Sequence, residues 1–130
     1  MNTLIIVLRL LHIVSGAFWV GSIVLAVVFL EPTAKAFGAT GERFLAHVLF
    51  RKRLLPALVA AATVAIGTGA ALYWIASGGL HVEWIATPTG LGFTAGALAA
   101  LAAYAIALIV LKPQFDRLAT VLDDPPAGEV

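Results

Sequence analysis

The sequence contains no cysteine, and only 12% of its 130 residues are charged. The absence of cysteine excludes disulfides, iron–sulfur clusters and zinc sites built on thiolates. The shortage of charge excludes an ordinary soluble domain, in which about a quarter of the residues are charged. A net charge of +1 provides no broad basic field, so nucleic acid is not expected as a partner. The chain is instead 62% hydrophobic, more than a compact fold of this length can bury, so a lipid bilayer is the solvent that fits it.

The apolar residues form three long segments, at about 4–30, 54–75 and 90–111. Each reaches the roughly 20 residues needed to cross about 30 Å of hydrocarbon. Backbone polar groups in lipid must bond within their own segment, so the segments should be helices. The predicted fold is therefore all-α: a single domain that is a polytopic transmembrane bundle with three spanning helices. We expect the first segment to be a retained membrane helix, since no basic residue precedes it and it is too long for a signal peptide.

Lysine and arginine are distributed unevenly around these segments. The connection between the first two segments and the tail carry seven of the eight cations: Lys35, Arg43, Arg51, Lys52, Arg53, Lys112 and Arg117. Cytoplasmic loops carry an excess of such residues, which predicts an inner-membrane protein with its N-terminus outside and its C-terminus in the cytoplasm. Residues 41–53 are amphipathic and should form a short cytoplasmic helix in the headgroup plane. Proline and glycine predict a loose tail over residues 123–130.

Polar residues of the first segment share one helical face. Arg9, His12, Gly16 and Trp19 fall within an arc of about 80° at 100° per residue. Ionisable residues inside a span are costly, although the long side chain of Arg9 can extend to the outer headgroups. The imidazole of His12 is too short for that and must find a partner inside the bundle.

The residues alone allow two interpretations of His12. One is a hydrogen bond to a neighbouring helix, and the other is a ligand to a metal or a haem iron. For a haem, Gly16 would let the porphyrin approach, Trp19 could pack on its edge, and Arg9 could pair with a propionate.

Small residues also recur at helical spacing in the other two segments. Gly92 and Gly96 form one such pair, and Gly67 and Ala71 form another. Faces of this kind let helix backbones approach closely in lipid, so they are expected to pack the bundle.

The segment LHIVSGAFWVGSIVL, followed by FLEPTAKAF, resembles the first helix of a superfamily of small membrane proteins. The superfamily includes the copper-resistance-D-like proteins, the haem-b membrane protoporphyrinogen oxidases of bacteria and related uncharacterised membrane proteins. The shared motif is Leu-His, several apolar residues, then Trp and a small residue, which here are Leu11, His12, Trp19 and Gly21. The stretch from Gly41 to Ile75 is similar to the oxidases, in which a basic amphipathic segment also leads into a glycine-containing helix.

The resemblance implies a bundle that binds haem b through the first-helix histidine, here His12. It implies work in electron transfer, haem handling or tetrapyrrole oxidation. Two differences stand out. The third segment has no basic residue before Lys112, where the oxidases carry one in or near the third helix. The family usually has four spans and this sequence has three, so a neighbouring chain is expected to complete the bundle unless a final helix is lacking.

Several alternatives follow from these residues. The second axial ligand or metal partner could be His81 or a second His12 across a homo-oligomer. A copper-handling protein is another interpretation, although copper favours His, Met and Cys, and the only methionine here is Met1. The chain could also be a structural or assembly subunit of a larger membrane complex, with no chemistry of its own.

Overall fold

A computed structural model of the chain describes residues 2–111, 113, 116–117 and 120. Nearly all of these residues are helical and none of them is in a strand, which confirms the all-α prediction. The helices are α1 (Thr3–Leu25), α2 (Glu31–Ala36), α3 (Gly38–Ala46), α4 (Leu54–Ala76), α5 (Val82–Ile85) and α6 (Pro88–Ile106). Single π-helical turns extend α1, α3 and α6, at Ala26–Leu30, His47–Arg51 and Ala107–Leu111.

In the described part of the chain, three helices are long and apolar enough to cross a membrane: Thr3–Ala36, Leu54–Ala76 and Pro88–Ile109. The first is longer than the sequence suggests, because α1 continues through its π turn into α2 for 34 residues in all. Pro32, the second residue of α2, directly follows the π turn, so the residue that cannot donate a backbone hydrogen bond lies where the regular α-helical pattern is already interrupted. The predicted loose tail, 123–130, falls outside the described residues.

Local capping explains where two of these helices begin. The Asn2 side chain accepts a hydrogen bond from the Leu4 N–H at 3.1 Å and so caps α1. The Thr87 hydroxyl accepts one from the Gly90 N–H at 3.0 Å and caps α6, in which Pro88 is the first residue. Such caps satisfy backbone donors that have no acceptor within the helix.

The chain reverses direction at Phe37 and Gly38, where the glycine has a φ of +59°. The returning helix α3 packs on α2 so closely that a Cβ at Gly41 would overlap the Ala34 carbonyl. The amphipathic segment expected at 41–53 is thus helical as far as Arg51, but its helix starts at Gly38 and forms the second arm of a helical hairpin. Its position relative to a headgroup plane stays a prediction.

The main interface of the bundle lies between α1 and α4. Its least exposed side chains are Trp19 on α1, at 7%, and Ala62 and Ala65 on α4, at 1% and 4%. On each helix one set of shielded positions recurs three, four or seven residues apart: Ile5, Leu8, Ser15, Trp19, Ser22 and Ala26 on α1, and Leu55, Leu58, Ala62, Ala65, Gly69 and Leu72 on α4. Other half-buried positions, such as Gly16 and Ile23 on α1, flank this set. This spacing is typical of helices that cross at about 20°. The hydrophobic effect does not drive helices together in lipid, so close packing of small residues holds them.

The close packing does not occur at the glycines where it was expected. A Cβ built on Gly67, Gly92 or Gly96 would meet no atom within 4 Å in the described part of the chain. The small residues that let α1 approach are Ala62, Ala65 and Gly69 instead.

Helix α6 is held mainly at its ends. Near its start, the Tyr73 hydroxyl of α4 lies 2.6 Å from the Thr94 hydroxyl, which donates to the Gly90 carbonyl at 2.8 Å. The Trp84 ring packs edge-on against Tyr73 there, with ring centroids 5.7 Å apart. Farther along, Tyr104 meets Trp19 edge-on at 6.2 Å. Among the described residues, the Trp19–Tyr104 contact and the Tyr73–Thr94 hydrogen bond thus attach α6 to the α1–α4 pair, and Trp84 of α5 packs between Tyr73 of α4 and Phe93 of α6.

Replacing Tyr73 by phenylalanine should remove the interhelical hydrogen bond and keep the ring. We expect the free energy of unfolding in detergent to fall by roughly 0.5–1.5 kcal/mol. Tyr104→Phe is the matched control, because the Tyr104 hydroxyl has no hydrogen-bond partner among the described residues. Equal losses for the two variants in a denaturation series would contradict the assignment.

Candidate functional site

The imidazole of His12 bridges α1 and α4. Its Nδ1 lies 2.8 Å from the carbonyl oxygen of Ala65. A carbonyl oxygen can only accept, so Nδ1 carries the hydrogen and donates it. In the neutral ring Nε2 is then the atom with the free lone pair, and no described residue hydrogen-bonds to it.

Gly69 provides the space in which this ring lies. A Cβ at Gly69 would be 2.8 Å from Cε1 of His12 and 3.1 Å from its Nδ1. The ring therefore rests directly on the backbone of α4, one turn beyond the carbonyl to which it donates. The Thr68 hydroxyl also lies 3.2 Å from that carbonyl, although its shorter bond, 2.6 Å, goes to the Val64 carbonyl.

Sequence reasoning identified the need of His12 for a partner but not the residues that meet it. The acceptor is the backbone carbonyl of Ala65, and a backbone carbonyl cannot be recognised from the type of side chain. Gly69 has a weak signal, since it continues a row of small residues, Ala62 and Ala65, that is spaced by three and four. The glycine singled out on α4 from the sequence, Gly67, lies on an open face instead.

The other three members of the arc have different surroundings. Arg9 is exposed and makes no ion pair or hydrogen bond with the described residues. Gly16 is half-buried, and a Cβ there would meet nothing within 4 Å. Trp19 is buried against α4 and Tyr104. The face therefore carries two rings, His12 and Trp19, with an unfilled position between them and a cation one turn beyond His12.

The remaining two histidines lie at other levels of the bundle. His81 precedes α5 and is exposed, and its Cδ2 lies 3.1 Å from where a Cβ of Gly78 would be. Helix α4 continues from Gly69 to Ala76, about 10 Å, before the loop that carries His81. His47 begins the π turn after α3, next to the other end of α4. Among the described residues, no three of His, Asp and Glu come together to hold a metal ion.

An apolar groove lies between α2 and α3, well away from His12. It encloses about 320 Å³ and is lined by Leu30, Thr33, Ala34, Phe37, Thr40, Gly41 and Phe44. None of these side chains titrates, so the groove can hold an apolar group but offers no acid–base or metal chemistry.

No family model, curated protein or solved structure matches this chain. The resemblance over about the first 75 residues therefore stays a prediction. The geometry of His12 is an observation that does not depend on that resemblance.

A methyl group at Gly69 should push the His12 ring off α4 and break its hydrogen bond to Ala65. We expect Gly69→Ala to lower the free energy of unfolding in detergent by roughly 1–3 kcal/mol, the cost of leaving a polar group unpaired in apolar surroundings. Gly67→Ala is the matched control: its methyl enters open space, and the change should be neutral or stabilising by up to about 1 kcal/mol. Denaturation curves of the two variants that coincide would contradict this account of Gly69.

Proposed function

We propose that this protein binds haem b in a membrane, with Nε2 of His12 as an axial ligand of the iron. The observation that carries the proposal is the ring geometry of His12. Nδ1 donates to the Ala65 carbonyl, and Nε2 has no hydrogen-bond partner among the described residues. Metal-binding histidines almost always donate their other ring N–H to a carbonyl, carboxylate or water, which fixes the tautomer and the ring orientation.

The surroundings of His12 fit one side of a haem. Gly16 leaves space on the same face, because nothing lies within 4 Å of where its Cβ would be. Trp19 borders that space, and Arg9 offers a guanidinium without an ion-pair partner in the described residues. A carboxylate is the natural partner of such a group, and haem b carries two propionates.

Bound haem would supply one-electron redox chemistry at its iron. The residues of the chain would hold and orient it. Glu31 and Lys35 near the end of the first span pair with each other at 2.7 Å. Apart from these two, Arg9 and His12 are the only acidic or basic side chains in the described parts of the three spans. Since tetrapyrrole oxidation needs groups that move protons, this scarcity favours electron transfer or haem handling.

The orientation that we propose has the N-terminus outside the inner membrane and the α2–α3 hairpin in the cytoplasm. Its support is the concentration of cations beside that hairpin, as the positive-inside rule requires.

Single cysteines test this orientation directly, since the natural chain has none to remove. Ala39 and Ala86 are exposed and lie at opposite ends of the bundle. On intact cells, a membrane-impermeant maleimide should label Ala86→Cys, and it should label Ala39→Cys only after permeabilisation. The reverse pattern would overturn the proposed orientation.

An absorption spectrum of the purified full chain tests the haem itself. We expect a Soret band that shifts when the oxidised sample is reduced with dithionite, and that His12→Ala abolishes. His47→Ala is the control and should keep the band, because His47 lies at another level. The proposal fails if the natural chain shows no Soret band, or if His12→Ala leaves the band unchanged.

A second candidate function is that of a subunit in a larger membrane complex. The exposure of α6 favours it: none of the most apolar 18-residue window of Pro88–Ile109 is buried, and Gly92 and Gly96 face open space in the described part of the chain. A subunit without chemistry would purify with its partner and show no Soret band, so the same spectrum separates the two functions.

A further inference from the structure

A single chain offers one axial ligand and one propionate partner, which is half of the groups that a haem can bind. Haem b has two axial positions and two propionates, whereas the polar face of α1 supplies one imidazole, His12, and one guanidinium, Arg9. The other imidazoles of the chain do not lie beside His12. His81 follows the end of α4, about 10 Å beyond Gly69 along the helix axis. His47 lies at the hairpin end.

The surface around His12 is open to a second molecule. The His12 residue is exposed in the single chain although its Nδ1 is bonded to α4. On the side of α1 that carries Arg9 and Gly16, the apolar residues Ile13 and Val20 are 63% and 55% exposed. At Gly16, one turn farther along the same face, nothing lies within 4 Å of a Cβ position. An apolar surface can therefore approach α1 at the depth of His12.

A second copy of the chain could supply the second imidazole and the second guanidinium. Two copies in one membrane share an orientation, so a twofold axis along the membrane normal places each residue opposite its own copy. An α1–α1 contact then brings His12 to His12 and Arg9 to Arg9 at the same depths. Two imidazoles match the two axial positions, and two guanidiniums match the two propionates. A different partner protein would need a donor of its own at the same depth.

We infer that two copies of this chain bind one haem between their α1 helices, and that each copy contributes His12 as an axial ligand. This inference rests on the proposed function. It adds the oligomeric state, the stoichiometry and the identity of the second ligand. The imidazole pair would make the iron six-coordinate and low-spin.

The stoichiometry and a mixed pair test it together. The purified full chain should contain one haem per two chains, measured as pyridine haemochromogen against protein, and should show a low-spin spectrum. Two differently tagged copies, one natural and one His12→Ala, should co-purify as a pair whose spectrum is no longer that of the low-spin form. Added imidazole should restore that spectrum.

Two outcomes would overturn the inference while leaving the proposed function intact. One is a single haem for every chain, and the other is a low-spin spectrum that the mixed pair retains without added imidazole. A natural chain that binds no haem would overturn the proposed function, and the inference with it.

Because His12→Ala also removes the bond to Ala65, a second variant tests the surface without that change. Gly16→Leu places a side chain where the single chain has open space, and Gly67→Leu does the same on α4. Both variants should stay helical by circular dichroism. Gly16→Leu should lose pairing and haem, and Gly67→Leu should keep both. A Gly16→Leu chain that still pairs and holds one haem per two chains would contradict the proposed contact.

Discussion

The hydrogen bond from His12 to the Ala65 carbonyl fixes how the two longest described helices meet. In hydrocarbon no water is present to satisfy a polar group, so an unpaired imidazole N–H would cost several kcal/mol. Hydroxyl groups elsewhere in the spans meet the same demand by donating to the carbonyl one turn back in their own helix, as do Ser15, Thr63 and Thr68. A histidine side chain instead reaches across, and it thereby fixes the depth at which α1 lies against α4.

That contact depends on small residues directly opposite. Ala62 and Ala65 are almost fully shielded, and Gly69 has no side chain to obstruct the ring. The ring of His12 thus lies over Gly69, the smallest residue of this part of α4. A bundle in lipid gains its packing from such shape complementarity, because lipid chains are as apolar as the helices they surround.

Hydrophobic length predicted the helices well, since roughly 20 apolar residues in lipid have one regular structure available. The faces on which the helices pack were harder to predict. A soluble helix reveals its buried side as an apolar stripe, but α4 and α6 are apolar on every side, so the pattern does not show which glycines lie inside. This is why Gly67 and Gly92 were expected in interfaces, and why Gly69 was missed.

Some features of the candidate site could likewise be predicted from the sequence and others could not. The need of His12 for a partner follows from the cost of placing a polar ring in hydrocarbon, and the sequence carries that information. Its acceptor is a main-chain carbonyl, which every residue possesses, so no side-chain pattern could identify Ala65. The amphipathic stretch after Gly38 is equally ambiguous, because an apolar stripe can face a headgroup plane or a neighbouring helix.

The first helix also has a consequence for the membrane around it. Its apolar part, residues 4–30, is about 40 Å long, while the 23 residues of α4 span about 35 Å and the hydrocarbon core about 30 Å. Since α1 and α4 are packed together, the pair accommodates the difference as a unit, by tilting or by locally thickening the bilayer. Each route has a free-energy cost that falls as the membrane thickens. The stability of this protein should therefore depend on the thickness of the bilayer. Membranes that differ in thickness because of their lipid composition should hold it with different free energies.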